Sequence, residues 1–422
     1  MRALVPARLG ADFGKLWTAS AVSNLGDGVT MVAGPLLVST LTTDPAAVAG
    51  AVFAQQLPWL LFALISGAWA DRLDRRRLVV AVNVVRALAI AFLAASIAAG
   101  FVSVPLIYAV FFVLGTGETL ADTAASAFVP SIVAERNLPL ANSLLGGTFT
   151  VINQFAAKPF GAWLFAVAAA LPFGLNAASF LASALLIAVL RTVPPPAPPA
   201  SARRSLAVDI GAGLRFLWGH RLLRSLAVTM AFGNLVFCAA FAIFVLYARS
   251  VLGLSSFGYG VLLTAFAVGG LLGTFLAPWL MRSVGATALL RIGLLIEVGL
   301  HATLAATSDP WPAAASIVVF SIHAAVWGTI VVTIRQRTVP PAMYGRATSV
   351  YALLDLGGAA IGSLSGGLVA QSFGLVATFW TAAAAMVLVT VAAWRPLGIA
   401  TAALKPSAVP SAGPSAGPSA GG

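Results

Sequence analysis

Apolar residues run along the chain in long stretches that end abruptly in short breaks of charge, proline or glycine. A helix needs about 20 apolar residues to cross the hydrocarbon of a bilayer. Twelve stretches approach or exceed that length: 13–41, 46–70, 78–99, 104–127, 140–166, 172–190, 222–248, 257–280, 286–306, 312–334, 346–371 and 375–394. The pattern predicts an all-α integral membrane protein with twelve transmembrane helices. An even number of crossings puts both termini on one side.

The breaks divide the twelve stretches into two sets of six. Between 190 and 222 lies VPPPAPPASARR, whose prolines cannot continue a helix and make a stiff, extended spacer. Residues 206–218 after it read as a short interfacial helix. The expected organisation is a six-helix bundle over 1–191, a cytoplasmic Pro-rich linker over 192–221, a second six-helix bundle over 222–395, and a disordered Pro/Ser/Ala/Gly tail over 396–422. The halves also look like parallel repeats. At a constant offset of 206, Ala141, Ser143 and Gly161 fall on Ala347, Ser349 and Gly367, and 273–285 with Arg282 is a worn copy of the charged break after the second stretch. Such repeats favour two related bundles around a central path.

Charge sets the orientation. The sharpest break, GAWADRLDRRRLV at 67–79, packs Arg72, Arg75, Arg76 and Arg77 between two spans, and positive charge is retained on the cytoplasmic side. With that hairpin inside, 21 of the 24 lysines and arginines fall inside, Arg249 alone falls in an outer loop, and Arg86 and Lys158 lie within spans. Both termini are then cytoplasmic. A chain with 60% hydrophobic and 9% charged residues has no soluble surface, so its net charge of +12 reads as topology rather than as a nucleic-acid footprint. The lone Cys238 excludes an intrachain disulfide and a cysteine metal site. The basic first dozen residues lack the compact apolar core of a signal peptide, so none is expected to be removed. Richness in alanine, arginine and proline fits a high-GC bacterium, and hence its inner (plasma) membrane.

The hairpin pattern Gly-x-x-x-Asp-Arg-x-x-Arg-Arg-Arg resembles the loop between helices 2 and 3 of the major facilitator superfamily, with Asp74 where that superfamily usually has glycine. Longer stretches resemble its transmembrane secretion effector, or enterobactin-exporter-like, branch: SNLGDGV at Ser23, GETLADTAASAFVPSIV at Gly117, NSLLGGTFTVINQF at Asn142, LPFGLNAASF at Leu171, VLYARSVLGLSSFGYGVLL at Val245 and RQRTVPPAMYGRATSVYALL at Arg335. The resemblance covers about 13–395 and implies the major facilitator fold and a secondary transporter, many members being described as macrolide or multidrug efflux proteins. It also implies a conformational latch at Gly67, Asp71, Arg72, Arg75, Arg76 and Arg346. The chain departs from the branch in helix 5 and at three single positions. Helix 5 reads Ala157, Lys158, Pro159, Phe160, Gly161, Ala162 in place of the Gly-Pro-x-x-Gly-Gly associated with antiporters, Ala352 and Asp355 stand where arginine and glycine are common, and Asn176 replaces a frequent aspartate.

Charges inside a bilayer cost ~2.5 to 3.5 kcal/mol each on insertion scales, so each calls for a partner or a role. The acids are Asp27, Glu118, Asp122, Glu297 and Asp355, and the bases Arg86 and Lys158. An excess of acid favours protons or organic cations. Glu118 and Asp122, four apart, share a helical face, and their repulsion is relieved when one holds a proton. Asp27, between Gly26 and Gly28, lies near the bilayer middle. Lys158 lies at a similar depth, and an ion pair between Asp27 and Lys158 that opens on protonation or substrate binding is the sharpest expectation; a substrate anion or the interface are the other partners for Lys158. Arg86, eight residues into its stretch, is expected to snorkel to the cytoplasmic interface. Glu297 and His301, also four apart, are expected to form a structural pair, and His323 to be a packing residue. Trp59, Trp163, Phe232, Phe237, Phe241, Phe244 and Trp327 either line an aromatic cavity or face lipid.

These residues favour a proton-coupled exporter of small amphipathic compounds such as drugs, macrolides or siderophores, that is, a multidrug-resistance antiporter. Asp27, Glu118, Asp122, Lys158 and Asp355 are the proton or substrate candidates. Expected partners are a small-molecule substrate, protons and the lipid bilayer, with no nucleic acid, cofactor or metal, for a monomer. A proton-coupled importer on the same fold, or a membrane sensor that does not transport, stays open. No Gly-x-x-x-x-Gly-Lys-Ser/Thr motif cradles a nucleotide, and no nucleophile, base and orienting group recur at an enzyme's spacing.

Overall fold

The structure is a computed structural model and describes residues 6–72, 74–126, 128–190 and 206–403. Its spans are α1 (Gly10–Leu41), α2 (Pro45–Arg72), α3 (Arg75–Ala98), α4 (Val104–Ser126), α5 (Leu138–Thr148, Phe149–Ala156 and Ala157–Val167 in sequence), α6 (Leu171–Ala188), α7 (Arg221–Ala242, continued by Phe244–Ser250), α8 (Ser256–Ser283), α9 (Ala286–Ala306), α10 (Pro310–Thr338), α11 (Pro341–Phe373) and α12 (Leu375–Trp394). Eleven of these are continuous helices long and apolar enough to cross a membrane. The twelfth expected span is α5, interrupted by the π-helical turns of Phe149–Ala156. Pro159 explains the interruption in part. Its ring crowds the carbonyl four residues back, at Phe155, and wider turns before it make room.

Pairings repeat with a shift of six helices. α2 packs on α4 as α8 packs on α10, α3 on α6 as α9 on α12, and α1 on α5 as α7 on α11. The halves meet along two matching seams, α2 against α11 and α5 against α8. Small residues make the closest approaches, as expected where lipid is as apolar as the helices themselves. A Cβ on Gly358, Gly362 or Gly366 of α11 would strike the carbonyls of Ala231, Leu235 and Ala239 on α7, and one on Gly161 of α5 would lie 2.8 Å from the Val29 carbonyl of α1. Gly366 makes the kind of contact that Gly161 makes, whereas Gly367, its partner at an offset of 206, abuts Ala46 and Ala49 of α2. Ahead of the wide turns the offset of 206 holds, with Ala141 and Ala347 both buried. A turn closed by i→i+5 bonds takes one residue more than an α turn. That residue is the one by which the repeats fall out of register.

The helix expected near 206–218 forms over Leu206–Gly219 and lies on α11, with Gly213 against the Arg346 carbonyl. The linker residues 191–205 lie outside the described residues. The tail differs from expectation at its start. Pro396–Ile399 and Ala400–Ala403 are helical, Leu397 and Ala400 are fully buried, and the Thr401 amide and Thr287 amide each donate to the other's hydroxyl. Apolar side chains at 397 and 400 supply the anchor that the composition of the whole tail hid. Residues from 404 on are outside the described residues.

Two faces result. One carries the α1 start and the α2–α3 hairpin and is rich in arginine; at the other, α1 ends at Leu41. Tight contacts between the halves gather toward the Leu41 face: Gly367 on α2, Gly260 on the Lys158 carbonyl and Ala162, and Arg249 Nη1 donating to Ser39 Oγ at 2.9 Å. Toward the arginine face, a Cβ added to Gly146 or Gly147 of α5 meets nothing within 4 Å.

Candidate functional site

Within the first half, the glycines around Asp27 set its environment. Gly26 fits against Asn176 and Ser179 of α6, and Gly28 against Asn153 and Ala157 of α5. Asn176, in place of the branch's aspartate, donates to Thr30 Oγ1 at 2.7 Å and accepts from Ser179, so α1 and α6 are tied by neutral groups. The Asp27 side chain lies on another face of α1. Its Oδ1 is 3.0 Å from Arg86 Nη2 of α3, its Oδ2 accepts from Ser23 at 3.3 Å, and it keeps 29% of its side-chain exposure against 5% for Arg86.

Arg86 corrects an expectation. Instead of reaching out to the interface, Arg86 is buried and turns across to Asp27 of α1. Its stem fills the space that Gly117 of α4 leaves, and its guanidinium carbon sits 3.9 Å from the Phe180 ring centroid. Such a stack compensates part of the guanidinium's lost hydration. Lys158 corrects another. It is buried, and its Nζ donates to Gln154 Oε1 at 2.8 Å, one turn back on its own helix, while Asp27 is held by Arg86. Equal depth brought Lys158 and Asp27 to one level without bringing them together.

Glu118 follows Gly117 and is half-buried on α4 with a polar or charged partner of its own. The side chains of Asp122, Gly67, Asp71 and Arg72 lie outside the described residues. At the hairpin, Asp74 Oδ1 accepts from the Arg77 amide at 3.0 Å, so the aspartate that replaces a family glycine caps α3. Arg76 donates to the Leu190 carbonyl at 3.0 Å beyond the end of α6, within its own half. Arg75 and Arg346 have partners too, and Arg346 Nη1 lies 3.6 Å from Met343 Sδ.

A second polar group lies in the other half, where a cavity of about 240 Å³ opens among α7, α9, α10 and α11. Asp355 of α11 accepts from Asn234 of α7 at 3.0 Å on its carboxylate and again on its backbone carbonyl. Glu297 pairs with His323 Nε2 of α10 at 3.2 Å, not with His301, which is buried one turn away with Nδ1 unpartnered. The imidazole rests in the notch of Gly293 on α9, edge-on to Phe320 and Trp327. Phe237, Phe320 and Trp327 supply aromatic walls, Phe237 and Phe320 stacking at 5.2 Å. Of the seven aromatics singled out, Phe237 and Trp327 line this cavity, whereas Trp163 and Phe232 are exposed on the outside of the bundle. Sequence reasoning took His323 for a packing residue and did not single out Asn234. Spacing within one helix carries no information about partners on another.

Comparison with known proteins decides the class of protein. The sequence pattern of the transmembrane secretion effector family matches residues 2–409. The chain belongs to that family. It is a multi-span membrane transporter of the major facilitator superfamily. It is 28% identical to the multidrug efflux pump Tap of Mycolicibacterium fortuitum over 392 residues, 89% of this chain and 93% of that one. In fold it is similar to the nucleoside transporter NupG (TM-score 0.69, 14% identity, covering 92% and 99% of the two chains). It is similar also to a bacterial homologue of the iron transporter ferroportin. The inward-facing structure of that homologue gives a TM-score of 0.72 (18% identity, 92% and 98% covered), and the outward-facing one gives 0.58 (19% identity, 91% and 99% covered).

Proposed function

We propose that this transporter exports small amphipathic compounds in exchange for protons, and that the Asp27–Arg86 pair is where the proton acts. The observation that carries the reading is this half-buried ion pair, in a chain whose relative Tap is an efflux pump. With the arginine-rich face in the cytoplasm, as the charge bias requires, the described state is open to the inside. Asp27 is then an anion held by Arg86. Substrate enters from the cytoplasm, the halves rock about the two seams, and a proton from outside adds to the Asp27 carboxylate. Neutral Asp27 no longer attracts Arg86, which keeps its contact with Phe180; return to the inward state releases the proton. Glu118 and Asp122 on α4 and Lys158 on α5 complete the proton or substrate candidates of that half. Asp355 belongs to the cavity of the other half, whose volume suits a compact head group rather than a whole macrolide ring. The hairpin at Gly67, Asp71 and Arg72, with Arg75, Arg76 and Arg346, latches one of the two states.

Proteoliposomes test the reading. Lipophilic dyes and macrolides should leave wild-type vesicles only when a proton gradient is imposed, and the movement should vanish in Asp27→Asn and weaken in Glu118→Gln. Solute accumulation in the opposite direction would establish an importer instead, and no movement of any solute a sensor.

A further inference from the structure

Outside both polar sites, two adjoining grooves run along the lipid-facing surface where α7 meets α12. They enclose about 550 and 500 Å³ and share Ala392 and Pro396. One end of this surface is basic. Arg221 and Arg224 open α7 and Arg395 follows α12, so three guanidinium groups from the two ends of the second half converge at the arginine-rich face. Arg224 Nη1 is oriented by the Trp218 carbonyl at 3.1 Å, and no acidic side chain lines either groove among the described residues.

Toward the membrane interior the walls are apolar. Phe232 lies eight residues beyond Arg224, ~12 Å along α7, and Leu388 lies seven residues before Arg395, ~10 Å along α12. The two antiparallel helices thus put charge at one depth and exposed hydrophobic side chains at another, matched depth. Phe232 is 51% exposed and Leu388 72%. Trp218, also exposed, lies at the basic end, beside Arg224.

We propose that this surface binds a phospholipid with an anionic headgroup, its phosphate held by Arg221, Arg224 and Arg395 and an acyl chain lying along Phe232 and Leu388. Guanidinium groups bind phosphate oxygens in bidentate fashion, and basic pockets between membrane helices are sites for acidic headgroups. A zwitterionic headgroup offers the same phosphate but brings its own cation to three arginines beside which no carboxylate lies among the described residues. Soluble phosphate lacks the chain that fills the apolar part. The lipid would fasten α7 to α12 at the edge of the half that moves.

The full-length protein in neutral detergent, titrated with phosphatidylglycerol, phosphatidylcholine of the same chains, or glycerol 3-phosphate, tests this. Retained lipid is read by native mass spectrometry and stabilisation by the shift in melting temperature. Phosphatidylglycerol should be retained and should raise the melting temperature, with at least tenfold weaker effects from the other two. Arg221→Gln/Arg224→Gln/Arg395→Gln should abolish that selectivity. Arg136→Gln/Arg215→Gln/Arg282→Gln, which removes equal charge elsewhere, should keep it. Equal response of the wild type to phosphatidylglycerol and phosphatidylcholine would overturn the proposal, as would a response to glycerol 3-phosphate alone or an equal loss in the second triple variant. The wild-type comparison decides even if a triple variant does not fold.

Discussion

Arg86 of α3 crosses beneath the Gly117 notch to reach Asp27 of α1, Nη2 to Oδ1 at 3.0 Å, with its other flank against the Phe180 ring. Four helices, α1, α3, α4 and α6, must therefore keep their places for one carboxylate to be neutralised. Removing one member of a half-buried pair leaves an uncompensated charge and costs up to ~3 kcal/mol, whereas removing both costs less. Arg86→Met should lower the melting temperature more than Asp27→Asn/Arg86→Met does. A double-mutant cycle on Asp27 and Arg86 should give a coupling of ~1 to 3 kcal/mol, and one on Asp27 and Lys158 under ~0.5 kcal/mol. Strong coupling to Lys158 would restore the pairing expected from depth alone.

Asp74 replaces a glycine of the resembling hairpin and caps α3 through the Arg77 amide. Asp74→Ala should cost ~1 kcal/mol of stability, while Asp74→Asn or Asp74→Ser should cost much less, because each retains an acceptor for that amide. Thermal melts of the three variants check this. Equal losses in all three would place the role of Asp74 in its charge rather than in the cap.

Gly362 occupies the middle of the glycine row at 358, 362 and 366 where α11 touches α7, and a Cβ there meets the Leu235 carbonyl, which is backbone and cannot step aside. Gly362→Ala should reduce the yield of folded protein severely. Gly270→Ala on α8, where a Cβ meets nothing within 4 Å, should be neutral. Size-exclusion profiles of the two variants separate the cases.

Closure at the Leu41 face depends on contacts such as Arg249 with Ser39, one on each half. Joining Ser39→Cys to Arg249→Cys with a short, cleavable bifunctional thiol reagent, in a Cys238→Ala background, should arrest transport. Cleaving the reagent should restore it. Unchanged transport in the joined protein would mean that this face does not open.

The twelve spans, the two halves and the charge bias are legible in the sequence because hydrophobic length and arginine position are properties of single segments, and the fold comes from them. Partners are not. Counting the third stretch from 78 puts Arg86 within reach of the interface, whereas its partner, Asp27, lies on another helix. Spacing offers Glu297 only His301 on its own helix, although His323 lies closer in space on α10. The glycine row on α11 carries a visible four-residue period that marks close helix contact, a signal as legible in the sequence as the spans themselves.

The register of the repeats gives the last prediction. If the extra residue of α5 resides in Phe149–Ala156, deleting one residue there, such as Thr150, turns the wide segment into ordinary α-helix. Both flanks then keep their facing, with Ala141 buried on one side and Gly161 still against Val29 on the other. A deletion after the segment, such as Phe160, has no wide turn to absorb it. It rotates the remainder of α5, Gly161 included, by ~100° out of contact with Val29, since each residue turns an α-helix by that angle. The Thr150 deletion should therefore fold with a melting temperature near wild type and the Phe160 deletion should not. If both fail alike, the wide turns are themselves required for packing. If both fold alike, the seam between α1 and α5 tolerates rotation, and the close approach at Gly161 does not set it.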